Sequence, residues 1–202
     1  MSLWRGGPLV LASKSAVRRR ILEAAGVPVV VDPADLDERS VEAARAKDGT
    51  GPEMVALWLA REKALAVACR RPGFVLGADQ TLALGSRRFS KPASPAATRE
   101  QLSSLAGNTH ALHSAVAVAE GQQIVFETVE SARLTMRPLS KDFLDSYLAG
   151  VGEHVSTSVG AYQLEGLGVH LFERIEGDYS TILGLPLLPL LAFFRKAGLV
   201  RS

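Results

Sequence analysis

Asp79 stands inside "VLGADQTLAL", Val75 to Leu84, a run otherwise apolar enough to be a buried strand. A buried carboxylate is costly unless a cation or hydrogen-bond donors compensate it, so Asp79 requires a partner elsewhere in the chain. Glu38 follows a second strand-like run, in "ADLDER", where Asp35, Asp37 and Glu38 gather. Two carboxylates meeting at one edge of a sheet are what a divalent cation and a water nucleophile need, and magnesium would compensate their charge. Taken alone, Glu38 also reads as a surface loop residue. The apolar flanks of Asp79 make simple solvation a poorer account of it.

A second kind of chemistry is suggested by "LASKSAVRRRIL". Ser13 and Ser15 in a strand-to-helix turn, followed by Arg18, Arg19 and Arg20 at the start of the helix, combine backbone N–H groups, hydroxyls and guanidinium forks into an anion site. A serine-capped helix with a solvated basic face fits the same spacing. No glycine-rich loop ends in Lys-Ser or Lys-Thr, so the common nucleotide-binding loop is absent. Lys63, and Lys91 before Pro92, could add positive charge toward a polyphosphate or be ordinary surface lysines. The four histidines, His110, His113, His154 and His170, have no metal-ligand spacing, and no chemistry is assigned to them.

The elements that position these residues follow from pattern. "PLVLAS", Pro8 to Ser13, reads as a strand, and Val17, Ile21, Leu22 and Ala25 form a helical stripe stopped by Gly26. "VPVVVDP" gives a second strand, and Asp48 to Pro52 a turn-rich connection to an amphipathic helix over "EMVALWLAREKALAVACR". After the Asp79 strand and a "GSRR" turn, a helix is expected from near Pro95 to Gly107. "THALHSAVAVAEGQQIVFETVESARLTM" then alternates around Gly121 as a long hairpin, which makes the sheet mixed. "SKDFLDSYLAG" predicts a helix with Ser140 as N-cap and Gly150 beyond its end. "GVHLFERIEG" predicts a strand, and "ILGLPLLPLLAFF" a core helix with proline near its start. That run is shorter than the roughly 18 to 20 apolar residues that span a bilayer, so no membrane partner is expected.

With 202 residues, 47% hydrophobic and 22% charged, the chain has the composition of a folded globule with one substantial core. Its formal charge of +2 is too small for wholesale nucleic-acid binding and leaves a phosphate-bearing small molecule as the anionic partner. One cysteine, Cys69, excludes an internal disulfide and a thiolate cluster. With no charged-then-apolar leader at its start, the chain is expected in the cytoplasm.

Read in order, "LASKSAVRRRIL", "ADLDER", "REKA", "VLGADQTLAL", "SKPAS", "LAGNTHALHSAVAV", "YQLEGLG" and "ERIEGDYSTILGLP" resemble the Maf family of nucleoside triphosphate pyrophosphatases. The likeness runs from about Leu9 to Leu199, and it is the ordered set that is specific. It implies an α/β fold with a bent mixed β-sheet, flanking helices and two lobes around a cleft, as in the inosine triphosphate pyrophosphatases. The smaller lobe would be the hairpin region, about 108–150. The implied reaction is hydrolysis of a nucleotide between its α and β phosphates, dependent on magnesium or manganese. The family's phosphate loop falls on Ser13, Ser15 and Arg18, its strand-end glutamate on Glu38, its helix lysine on Lys63, its aspartate on Asp79 and its Lys-Pro lysine on Lys91. The resemblance implies catalytic roles for Asp79, Glu38 and Lys91, with Asp79 and Glu38 as metal ligands. A homodimer is compatible with it.

Two departures stand out. The loop reads Ser15-Ala16-Val17-Arg18 where many members read Ser-Pro-Arg-Arg, which moves phosphate affinity toward Arg19 or Arg20. Gln80 and Glu165 resemble the 7-methyl-GTP subgroup, whereas the dTTP and UTP hydrolases carry Thr and Gln there. A carboxylate can accept both the ring N–H and the exocyclic amine of guanine, and N7 methylation adds positive charge that it favours. Alternatives are a dTTP/UTP pyrophosphatase, an inosine and xanthosine triphosphate pyrophosphatase, or a non-catalytic regulator of septum formation that binds nucleotide or nucleic acid.

Overall fold

The computed structural model describes residues 3–38, 40–41, 43, 50–152, 155 and 158–201. Part of the turn expected at Asp48 to Pro52 and His154 lie outside them. Among the described residues, seven strands form one mixed sheet in the order β2-β1-β3-β5-β6-β7, with β4 paired to β3. They are β1 Leu9–Leu11, β2 Val29–Val31, β3 Phe74–Leu84, β4 Arg87–Phe89, β5 Thr109–Glu120, β6 Gln123–Met136 and β7 Phe172–Glu176. The mixed α/β class expected from the long hairpin is the one observed. No helix among the described residues is long and apolar enough to cross a membrane.

The chain forms two compact units, one of Met1–Gln80, His113–Glu130 and Asp178–Ser202, the other of Thr81–Leu112 and Ser131–Gly177. In the first, β1 pairs in parallel with β2 and with β3, in the register Val10↔Val75 and Leu11↔Leu76. Parallel neighbours need crossover helices. Here these are α1 Ala16–Ala24 and α2 Pro52–Ala68, while α5 Tyr179–Ile182 and α6 Leu187–Lys196 close the chain.

The two sheet faces of this unit differ in residue size. One packs Leu11, Leu76, Val116 and Val118 against Leu22, Leu190 and Phe194. The other sets Ala115, Ala117 and Ala119 against Ala56, Ala60 and Ala64 of α2, so the helix backbone lies close to the strands. Alternation of side chains along each strand sorts large and small residues to opposite faces. The helix α2 is buried around much of its circumference, at Val55, Ala56, Leu57, Leu59 and Ala60 among others, rather than along the single stripe of an amphipathic helix.

In the second unit β4 pairs antiparallel with the end of β3, Leu82↔Phe89, and β7 with β6, Leu134↔Ile175. The helix α3 Pro95–Leu105 is capped by Ser94, and α4 Lys141–Val151 by Ser140, whose hydroxyl accepts from Phe143 N. Gly150, expected beyond the end of α4, lies inside it, and Gly152 with φ 62° follows as the terminating glycine. The strand expected over "GVHLFERIEG" begins only at Phe172, because Leu167–Leu171 closes into a 3-10 turn first.

Candidate active site

Asp79 lies on the same face of β3 as Val75 and Gly77, the face covered by α2. Gly77 sets the spacing. A Cβ there would lie 2.0 Å from Ala60 O and 2.6 Å from Ala64 N, so only glycine admits the α2 backbone at this distance. The close approach lets Lys63, three residues after Ala60 and adjacent to Ala64, reach Asp79 with Nζ 2.6 Å from Oδ1. The same ammonium lies 2.7 Å from Glu38 Oε1. Asp79 and Lys63 are buried, while Glu38 keeps 50% of its side chain exposed. The cation demanded by the buried carboxylate is therefore Lys63.

Arg18 belongs to the same set. Ser15 caps α1 by accepting from Arg18 N at 3.3 Å, and Ser13 Oγ accepts from Ser15 N. The Arg18 guanidinium then donates through Nη1 to Ser13 Oγ at 3.1 Å and Ala78 O at 2.9 Å, and through Nε to Gly184 O at 2.8 Å. Burial pushes its pKa down, against the pull of the Asp79 and Glu38 charges. The Asp79 carboxyl is pushed up by burial, opposed by Lys63 and Arg18. Two cations and two carboxylates thus cancel formally within one cluster.

Gln80 points to the opposite face of β3. Its Nε2 donates to Ser114 Oγ at 2.8 Å, Ile182 O at 3.0 Å and Thr181 O at 3.2 Å, while Ser114 Oγ donates to Thr181 O at 2.7 Å. Backbone carbonyls only accept, so the amide nitrogen must face them, and this fixes Oε1 as the acceptor turned the other way.

Among the described residues no group of three or more His, Cys, Asp or Glu side chains could hold a metal ion. Asp79 and Glu38 would offer a divalent cation two carboxylates, with water and phosphate oxygens completing the shell. That donor set fits Mg²⁺ or Mn²⁺, hard cations that keep waters and bind through one or two carboxylates plus substrate phosphates.

The sequence profile described as Maf-like protein matches residues 8–197. The chain belongs to the Maf family. A curated relative from Bradyrhizobium diazoefficiens, named nucleoside triphosphate pyrophosphatase, is 57% identical over 202 residues, covering 99% of each chain. One from Rhodopseudomonas palustris with the same name is 54% identical with the same coverage. A relative from Rhizobium etli, named 7-methyl-GTP pyrophosphatase, is 50% identical over 95% of this chain and 97% of its own.

In this Maf-family chain Ser13, Ser15, Arg18, Glu38, Lys63 and Asp79 form one connected set. Lys63 is engaged by protein carboxylates rather than held out as a solvated cation. Lys91 and Glu165 belong to the second unit. Lys91 is exposed and lines a surface cavity of about 260 Å³ with Arg87, Arg88 and Gln101. Glu165 is exposed. Arg19, a candidate for displaced phosphate affinity, pairs with Glu23 at 2.7 Å on the surface of α1. His110 meets the Tyr162 hydroxyl at 2.7 Å and His113 faces Glu53 at 3.5 Å.

Three contributors escaped the sequence reading: Gly77, the Ala78 carbonyl and Gly184. A glycine inside an apolar strand is the usual mark of a close backbone approach, and this signal was present at Gly77. The carbonyl partners of Arg18 left none.

Proposed function

We propose that this Maf-family chain is a nucleoside triphosphate pyrophosphatase that cleaves the α–β phosphoanhydride to give a nucleoside monophosphate and pyrophosphate. The observation that carries the reading is the Lys63 ammonium held between Asp79 and Glu38, with Arg18 in the same cluster. A structural ion pair would need neither the second carboxylate nor a guanidinium whose Nη2 edge has no partner among the described residues.

Asp79 and Glu38 would hold a divalent cation, Mg²⁺ or Mn²⁺, which when bound offsets phosphate charge and acidifies water. The Ser13–Arg18 turn receives phosphate oxygens through its hydroxyls and the Nη2 edge of Arg18. Lys63 keeps Asp79 ionised despite burial. Asp79, whose pKa burial pushes up, takes the proton from the attacking water. The water oxygen bonds to phosphorus, the bridging P–O bond breaks, and pyrophosphate leaves with its electron pair. Lys91, the counterpart of the family's Lys-Pro lysine, is a proposed further cation for the phosphates.

The name of the Rhizobium etli relative supports the finer reading that the preferred base is a 7-methylated guanine. Gln80 and Glu165 are the residues proposed to select it. The test is pyrophosphate release, with magnesium, from dTTP, UTP, CTP, GTP, ITP and 7-methyl-GTP. Equimolar monophosphate and pyrophosphate are expected, with a loss of at least about 100-fold in Asp79→Asn. Release of orthophosphate instead, or no cleavage of any nucleotide, overturns the reading. Chelation should abolish the reaction, and added Mg²⁺ or Mn²⁺ should restore it.

A further inference from the structure

We infer that Gly184 is a positioning residue for phosphate binding, holding the Arg18 guanidinium so that its Nη2 edge is left for the triphosphate. The inference deepens the reading of the Ser13–Arg18 turn as the phosphate-binding element and rests on it.

Three of the five N–H groups of Arg18 are spent on the protein, Nε on Gly184 O and both of Nη1 on Ser13 Oγ and Ala78 O. A planar fork with three fixed bonds has no freedom left, and its two remaining N–H groups, on Nη2, point where the first three dictate. Gly184 contributes to this twice. Its carbonyl accepts from Nε, and its missing side chain leaves room for the guanidinium. A Cβ at this position would lie 3.2 Å from Nη2, 3.3 Å from Nε and 3.6 Å from Cζ, against the group it is meant to hold. The residue also has φ +91°, which L side chains rarely adopt.

The turn that carries Gly184 is itself braced. Asp178 caps α5, accepting from Ser180 N and Thr181 N. The carbonyls of Thr181 and Ile182 are gripped by Gln80, and Gly184 N donates to Thr181 O at 3.0 Å. Leu185, next in sequence, is fully buried in the core with Leu22 of α1. The carbonyl that receives Arg18 is thus fixed from the sheet and from the core. A displacement of the guanidinium by a few tenths of an ångström would reach the substrate phosphates directly.

The experiment compares Gly184→Ala, Gly184→Asn and Gly198→Ala with wild type. Gly198 has φ +74° and open space around its missing Cβ, so its substitution carries the backbone cost without the contact. Asn tolerates positive φ better than Ala but still places a Cβ on Arg18, which keeps the test valid where Gly184→Ala folds poorly. The readouts are thermal stability, KM and kcat for the preferred nucleotide, and calorimetric binding of inorganic tripolyphosphate with magnesium. Both Gly184 variants are expected to weaken tripolyphosphate binding and raise KM by about tenfold or more, while Gly198→Ala leaves them within about twofold. In an Arg18→Gln background Gly184→Asn should add less than about twofold, because both changes act on one interaction. Tripolyphosphate binding by Gly184→Asn equal to wild type, or independent multiplication of the Arg18 and Gly184 effects, overturns the inference. Wild type that binds no tripolyphosphate overturns it as well. Binding that depends on Gly184 in a protein that cleaves no nucleotide sustains the positioning role and removes the pyrophosphatase reading; cleavage by wild type with unaltered binding in Gly184→Asn does the reverse.

Discussion

The ammonium of Lys63 donates to Asp79 Oδ1 at 2.6 Å, with 9% and 10% of the two side chains exposed. Removing one partner of so buried a pair leaves the other charged and uncompensated. Lys63→Met is therefore expected to cost about 3–5 kcal/mol of folding stability. Adding Asp79→Asn should return part of that loss, because the orphaned charge goes with it. Urea unfolding of both singles and the double variant measures this; a strictly additive double mutant would show that the two groups are not coupled.

Gly77→Ala tests the notch that brings α2 to the strand. The new Cβ would meet the Ala60 carbonyl at 2.0 Å and the Ala64 nitrogen at 2.6 Å, both backbone atoms that cannot swing aside. A loss of about 3 kcal/mol or more is expected, at the upper end of overpacking costs. Because α2 carries Lys63, pyrophosphate release should fall too. Denaturation midpoints and turnover that both match wild type would contradict this packing.

His110 gives a pH signature. It is 1% exposed, its Nδ1 has no hydrogen-bond partner among the described residues, and burial lowers its pKa from 6.5 to about 4. An unfolded chain binds a proton at this residue near pH 6.5 while the folded chain does not until about pH 4. The unfolded state then holds more protons across that window. Stability is complete above it and falls as pH drops through it, by at most ~3 kcal/mol from this residue. His110→Gln should flatten the stability profile between these limits relative to wild type, as read by urea midpoints at a series of pH values. An unchanged slope would mean that other groups dominate.

Glu165→Gln addresses base choice. Replacing the carboxylate by an amide is expected to lower the ratio of kcat/KM for 7-methyl-GTP over UTP by about tenfold, since an amide loses one acceptor for the guanine edge and its negative charge. Competition between the two nucleotides measures the ratio directly. An unchanged ranking removes Glu165 from base selection.

Much of the local structure was legible in sequence. Ser15 and Ser140 cap helices as their positions before amphipathic runs suggest, Gly121 turns the long hairpin, and Pro186 opens the last helix. Each of these is settled by hydrogen bonds and dihedral preferences within a few residues. Gly150 and the start of β7 went astray for the related reason that where an element ends is decided by packing as much as by local preference. The period-2 alternation of β3 already implied that Asp79 and Gln80 lie on opposite faces.

By itself, then, the sequence determined the α/β class, the ordered motifs of the family, and the requirement that a buried Asp79 find a cation. Only the tertiary structure decided that the cation is Lys63, that Gly77 makes the meeting possible, and that Arg18 is held by the carbonyl of a residue 166 positions away. Pairings of that kind arise when strands and helices are brought together by the burial of their apolar faces. The register of that packing, not the spacing along the chain, chooses which polar atoms meet.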